Sequence, residues 1–358
     1  MAPLAATIAA SVAVGVGIAL AQAERARRSA KAQRARERRF ASLPGEPLSE
    51  GLRRMVLGQL DLAIELLGGE GKSDGRAPDE RAIHETRKAL KRLRALLRLL
   101  RAQLGERRFA REYEILRDAA RRLAGARDAE VMVDTLDALL QRSPAKLARH
   151  RAVIELRELL VTERAAATRR TLGDRATRAE VLSELASLRE RVRLWSLPER
   201  PAIAVVESDL HRIYRQGRRR HRGAGRSEIG GHGGGGTQEL HQWRKRVKDL
   251  RYALEALDIK GLPSKRVAKL ARRANGLGEL LGEEHDLALL AALLHPPGRA
   301  PFKGKRGKRA RSALLKQIAR RRARLRKRAL REGERLYRRK PKNFTRRVRR
   351  AHARASRV

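Results

Sequence analysis

No cysteine occurs in the 358 residues, which excludes disulfides, iron–sulfur clusters and thiolate zinc sites. Aromatic residues are nearly as scarce, with two Trp, four Tyr and four Phe making up 3% of the chain. The core must then be filled by Leu and Ala, a composition that favours helix over strand. Few aromatic faces are left for stacking on single-stranded bases. The nine histidines contain no HExxH pair, because the His-Glu-Thr-Arg stretch at His84 has no second His at i+4. The run Gly231-His-Gly-Gly-Gly-Gly236 lacks the Lys-Ser/Thr ending of a phosphate loop. No nucleophile stands beside a base, and no zinc-finger or basic-zipper pattern appears. These absences predict a protein with no enzymatic activity, no metal and no cofactor.

Acidic residues are also short: 40 Asp and Glu face 86 Lys and Arg, for a formal net charge of +46. Solubility requires far less, so the expected partner is a polyanion: nucleic acid, polyphosphate or an anionic membrane face. Residues 299–358 hold 27 Lys or Arg against Glu332 and Glu334, and carry +25 of the total. The remaining +21 falls on the preceding 298 residues, so the folded part is basic in its own right. With 41% hydrophobic residues, a chain of this length can bury a core and form two or three domains.

What is present is a repeat. His84 opens the phrase HETRKALKRLR and His241 opens HQWRKRVKDLR, 157 residues later. Arg87 matches Arg244, Lys88 matches Lys245, Lys91 matches Lys248, Leu93 matches Leu250 and Arg94 matches Arg251. At about 100° per residue, His84, Arg87, Lys88, Lys91 and Arg94 fall within an arc of roughly 120°. Leu90, Leu93, Leu97 and Leu100 lie opposite, as Trp243, Val247, Leu250, Leu254 and Leu257 do in the second copy. A repeated apolar face would mean only a repeated core; a repeated cationic face concentrates like charge that a bound polyanion relieves. A later landmark also recurs, Leu123-Ala-Gly-Ala-Arg-Asp128 against Leu281-Gly-Glu-Glu-His-Asp286. Asp128 and Asp286 are expected to serve as structural ion-pair partners of the surrounding cations.

Residues 2–23 carry no charge and have about the length that spans a bilayer, and eight basic residues follow between Arg25 and Arg39. This segment is read as a membrane anchor, as an Ala-rich accessory helix or as sequence upstream of the functional start. Pro44-Gly45-Glu46-Pro47 marks a turn, after which Leu52, Val56, Leu60, Ile64 and Leu67 recur at helical spacing. Asp79 is the expected N-cap of the His84 helix and Thr237 that of the His241 helix. The glycine-rich segment 223–236 reads as a flexible loop. No alternating strand pattern of useful length occurs, so the fold class is all-α: two helical bundles from one duplicated unit. The expected divisions are an apolar and basic N-terminal segment (1–47), a first repeat (48–200), a second repeat (201–340) and a basic tail (341–358) that frays past Pro341.

These motifs resemble the CHAD family, the conserved histidine α-helical domain, over roughly residues 48–340. The resemblance implies a pair of four-helix bundles related by pseudo-twofold symmetry, with the basic helices lining a surface or channel that binds inorganic polyphosphate. It implies association with polyphosphate granules, while the basic run between Arg25 and Arg39 is expected to keep the rest of the chain in the cytoplasm. Carried onto this sequence, the binding roles fall on His84, Arg87, Lys88, Lys91 and Arg94, and on His241, Arg244, Lys245, Lys248 and Arg251. Arg92 and Arg98 are candidates for additional anion contacts. Many relatives also carry a triphosphate-tunnel domain with an E-x-E-x-K signature, which this sequence lacks.

Polyphosphate is a string of tetrahedral anions without bases, so a binder needs repeated cations and little else. Arg forks two donors onto phosphate oxygens, whereas Lys supplies a mobile point charge. His84 and His241 either donate to phosphate in their protonated form or bridge neighbouring helices as structural partners. The rival reading is sequence-independent nucleic-acid binding by the basic C-terminal region. Membrane contact through residues 2–23 is a further expectation, in which the chain tethers granules or anionic lipid.

Overall fold

A computed structural model describes residues 40–68, 80–198, 202–229, 235–258, 265–295 and 301–355. The apolar segment 2–23, the basic run after it, Asp79 and the side chain of Asp128 lie outside the described residues. Among the described residues the chain forms thirteen α-helices, one 3-10 turn and no strand. The first half holds α1 (Leu48–Gly68), α2 (Glu80–Leu99), α3 (Arg101–Leu104), α4 (Glu106–Arg122), α5 (Gly125–Leu140), α6 (Ala145–Ala148), α7 (Arg151–Gly173) and α8 (Arg175–Arg193). After the turn Ala202–Val205 come α9 (Glu207–Ile229), α10 (Gly235–Ala256), α11 (Lys265–Leu294), α12 (Gly304–Tyr337) and α13 (Pro341–Ala355).

Helix α1 packs on α2 and α8, and α2 on α4; α9 packs on α10 and α12, and α10 on α11. Helices α2 and α10, which carry the repeated phrase, meet each other between these groups. One apolar core runs through both, joining Leu52, Leu90 and Leu93 to Trp243, Val247 and Leu250. A second core lies beyond it, where Leu136, Val153 and Leu156 from α5 and α7 pack with Leu290, Leu314 and Ile318 from α11 and α12. Helices α11 and α12 are 30 and 34 residues long, which at 1.5 Å per residue makes them about 45 and 51 Å. Each reaches from one core to the other.

The halves differ in where their helices break. The first half interrupts at Leu123 and Ala124, between α4 and α5, and again at Asp174, whose carboxylate caps α8 by accepting from the Thr177 amide at 2.9 Å. In the second half the matching landmark Leu281–Asp286 lies inside the unbroken α11.

Three sequence expectations need correction. Residues 223–229, read as part of a flexible loop, continue α9, where Ala224 is buried and a Cβ at Gly225 would meet Leu330. Packing against α12 overrides the local glycine signal. Thr237 lies inside the first turn of α10 rather than capping it, and its Oγ1 accepts from Arg322 at 2.8 Å and from Arg326 at 3.2 Å. The chain does not fray at Pro341: that proline starts α13, which buries Phe344, Val348 and Ala351. Phe344 stacks on Tyr214 of α9 with ring centroids 3.8 Å apart. Among the described residues no helix is long and apolar enough to cross a membrane.

Buried charge is handled by arginine. Glu284 of α11 is held by Arg322 and Arg326 of α12, with Nε–Oε1 distances of 3.0 and 2.9 Å. Glu112 of α4 is fully buried; burial works against its charge, but Arg191 and Arg111 outweigh it and keep the carboxylate below its ordinary pKa.

Candidate functional site

Burial of Leu90, Leu93 and Leu97 on α2, and of Trp243, Val247, Leu250 and Leu254 on α10, turns the opposite stripes toward the seam between the two helices. There Lys91 and Arg94 from α2 join His241, Arg244, Lys245 and Lys248 from α10 around a cavity of about 400 Å³. Arg98 lines it too, over the ring of Tyr113 at 4.7 Å and donating to its hydroxyl at 2.5 Å. The only carboxylate among the described lining residues is Asp249, which is paired with Arg98 at 3.5 Å and Arg246 at 3.2 Å. The cations of this cavity therefore outnumber their counter-charges.

Burial, and after it the concentration of charge, shows in the titrating groups. Burial, followed by the charges of Arg244 and Lys91, pushes the Lys248 ammonium down to about 7, with Asp286 pulling the other way. Burial also lowers Arg244, against an opposing pull from Asp286. His241 is lowered by burial and then by Lys245, Arg244 and Lys248. His285 of α11, its ring 4.3 Å from that of His241, is pushed down to about 4 by burial, His241, Arg244 and Lys248. The Nδ1 atoms of both rings are buried without a hydrogen-bond partner. Burial and the neighbouring cations drive His241 away from the doubly donating form, one of the two roles expected of it. An anion placed here would reverse that pressure.

A second cavity, of about 820 Å³, opens beside the seam and shares Arg244 and Lys248 with it. Arg251 lines this side, paired with Glu255 at 2.6 Å, while Arg320, Arg321 and Arg324 of α12 form another wall.

Of the ten motif positions, Lys91, Arg94, His241, Arg244, Lys245 and Lys248 line the seam cavity and Arg251 its neighbour. His84, Arg87 and Lys88 line neither. Arg87 instead closes the end of α4, where its Nη1 donates to Leu123 O at 2.5 Å and Ala120 O at 3.3 Å. Lys88 pairs with Glu85 at 3.5 Å, and His84 is exposed near the start of α2. Arg98 belongs to the site, whereas Arg92 lies over the Phe40 ring at 4.7 Å. Sequence reasoning did not single out His285, Gly282 or Arg246. His285 and Gly282 lie within the repeated Leu281–Asp286 landmark, which was the available signal, and Arg246 neighbours the motif without belonging to it.

A family model for the CHAD domain matches residues 58–295. Two solved structures share the architecture. The crystal structure of the CHAD domain from the plant Ricinus communis is 21% identical, with a TM-score of 0.56, covering 82% of this chain and 93% of that one. PptA from Streptomyces chartreusis is 18% identical, with a TM-score of 0.55, covering 82% of this chain and all of that one. At these identities the likeness is one of fold. No curated protein matches the sequence.

Proposed function

Because the chain belongs to the CHAD family, we propose that the seam between α2 and α10 binds inorganic polyphosphate. The observation that carries this reading is the gathering of Lys91, Arg94, Arg244, Lys245 and Lys248 around one cavity, where burial, and after it the charges of Arg244 and Lys91, push the Lys248 ammonium down to about 7. A polyanion threaded there replaces like-charge repulsion with charge-assisted hydrogen bonds. Arg244 supplies a planar fork and Lys91 and Lys248 mobile charges, which suits phosphates repeating along a flexible string. The protein is a binder without turnover, and polyphosphate granules are its proposed location. Membrane contact through residues 2–23 is tested by deleting that segment and following membrane fractionation.

Titration of the full-length protein with long-chain polyphosphate and with duplex DNA, at matched phosphate and physiological salt, tests the reading. Tighter polyphosphate binding is expected, with a loss of at least tenfold in a Lys91→Ala, Arg244→Ala, Lys248→Ala variant. Equal affinity for both polymers, indifferent to the substitutions, overturns it. Phosphate release from polyphosphate that disappears in Arg244→Ala would overturn the non-enzymatic part.

One observation favours a second reading, nucleic-acid binding by the C-terminal region. Arg347 of α13 is lowered by burial and by Arg339, Arg266, Arg338 and Arg273, with no carboxylate among the causes. DNA affinity that depends on these arginines and not on the seam would support that reading.

A further inference from the structure

We propose that the 820 Å³ cavity adjoining the seam is a site for a small phosphorylated molecule of the nucleoside phosphate class, overlapping the seam at Arg244 and Lys248. Its phosphates would sit on Arg244, Lys248 and Arg251, so the proposal rests on the phosphate affinity argued for the seam.

The volume falls within the usual range for small-molecule sites, about 300–1,000 Å³. Its room comes partly from glycines inside α11, a helix position where glycine is otherwise unfavourable. Both Gly278 and Gly282 face the cavity, and a Cβ at Gly282 would come within 3.4 Å of the Arg244 guanidinium. Arg244 thus lies against the backbone of α11.

The lining is mixed where that of the seam is almost wholly cationic. Asp134, Glu279, Glu283 and Asp286 stand among its arginines, and Asp286 is close enough to Arg244 and Lys248 to pull the pKa of both upward. Such a lining suits a ligand that carries N–H or O–H donors as well as phosphates. Two unpartnered buried atoms fit such a ligand. The Nε of Arg244 is a donor without an acceptor, and the Oδ1 of Asn275 is an acceptor without a donor. The Asn275 amide is oriented by its Nδ2, which donates to Glu279 at 2.8 Å, because an ionised carboxylate only accepts. Asn275 precedes Gly282 by seven residues on α11, a rise of about 10 Å, comparable to the reach from a nucleobase to its phosphates. Leu139 and Leu287 give the cavity an apolar flank for a planar base.

The test is calorimetric titration of the full-length protein with ATP, GTP and tripolyphosphate at physiological salt, alongside long-chain polyphosphate. At least one nucleotide should bind tenfold or more tightly than tripolyphosphate, since only the nucleotide has a body to fill the cavity. Asn275→Leu, and Ala138→Trp at the cavity wall, should each erase that advantage while long-chain polyphosphate affinity stays within twofold. If Ala138→Trp fails to melt cooperatively, Asn275→Leu decides alone. Nucleotides and tripolyphosphate binding alike, or an advantage that survives Asn275→Leu, overturns the proposal and leaves the seam reading standing. Loss of long-chain polyphosphate binding in the unmodified protein would instead strike the seam reading.

Discussion

Replacing Lys248 by Met should stabilise the unliganded protein while crippling its binding. In the folded chain the ammonium titrates at about 7, against 10.5 for an ordinary lysine. At about 1.4 kcal/mol per tenfold change in a protonation equilibrium, the fold opposes the charged form by ~5 kcal/mol, of which ~4 applies at pH 7. The sign is fixed by proton counting. Between pH 7 and 10.5 the unfolded chain holds more protons than the folded one, so wild-type stability falls as pH is lowered through that window and levels off below about 7. A methionine fills similar space without ionising. Allowing for imperfect packing, Lys248→Met should gain ~2–4 kcal/mol at pH 7, or several degrees in Tm. The gain should vanish near pH 10.5. Thermal melts in phosphate-free, low-salt buffer at pH 6, 7, 9 and 10.5 would measure it, and a polyphosphate titration on the same variant should show at least a tenfold loss. A variant that melts below wild type at pH 7, or a difference that ignores pH, refutes the reasoning.

Polyphosphate affinity should fall as pH rises above about 7, by up to tenfold per pH unit, because binding then requires Lys248 to take up a proton; calorimetry at pH 8 in buffers of different ionisation enthalpy would show that uptake, and buffer-independent heats would contradict it. Arg87→Ala should cost ~1–2 kcal/mol by uncapping α4 at Leu123 and Ala120, yet leave polyphosphate affinity within threefold; an affinity loss as large as that at Lys248 would mean that Arg87 contacts the anion. Phe344→Ala should cost ~3–5 kcal/mol and speed amide exchange in Pro341–Ala355, since Phe344 is 1% exposed and stacks on Tyr214; unchanged exchange would mean that other contacts hold α13.

The two motif helices were legible because their charged and apolar faces repeat over many turns, and the helical period is the strongest signal a sequence carries. What could not be read was the division of labour between matched residues. Arg87 and Arg244 occupy the same place in the phrase, yet one caps a helix and the other faces a cavity. The cause lies in their neighbours. The chain breaks at Leu123, exposing carbonyls within reach of Arg87, whereas α11 runs unbroken past Leu281 and presents Gly282 to Arg244. No property of the phrase itself encodes that difference. The glycines at 223 and 225 misled for a related reason, because local propensity is weak against a partner such as Leu330. Helix α13 was hidden by its charge, although Phe344, Val348 and Ala351 mark one apolar face.

The shared second core also sets an order of events during synthesis. Leu136, Val153 and Leu156 find their partners in Leu290, Leu314 and Ile318, encoded well over a hundred residues later. At about 5–20 residues per second on the ribosome, the apolar faces of α5 and α7 wait on the order of ten seconds or more before α12 emerges to cover them. The nascent chain is therefore most exposed to misassociation in its middle third, and a substitution that makes α5 or α7 more apolar should lower the yield of folded protein even where it strengthens the finished one.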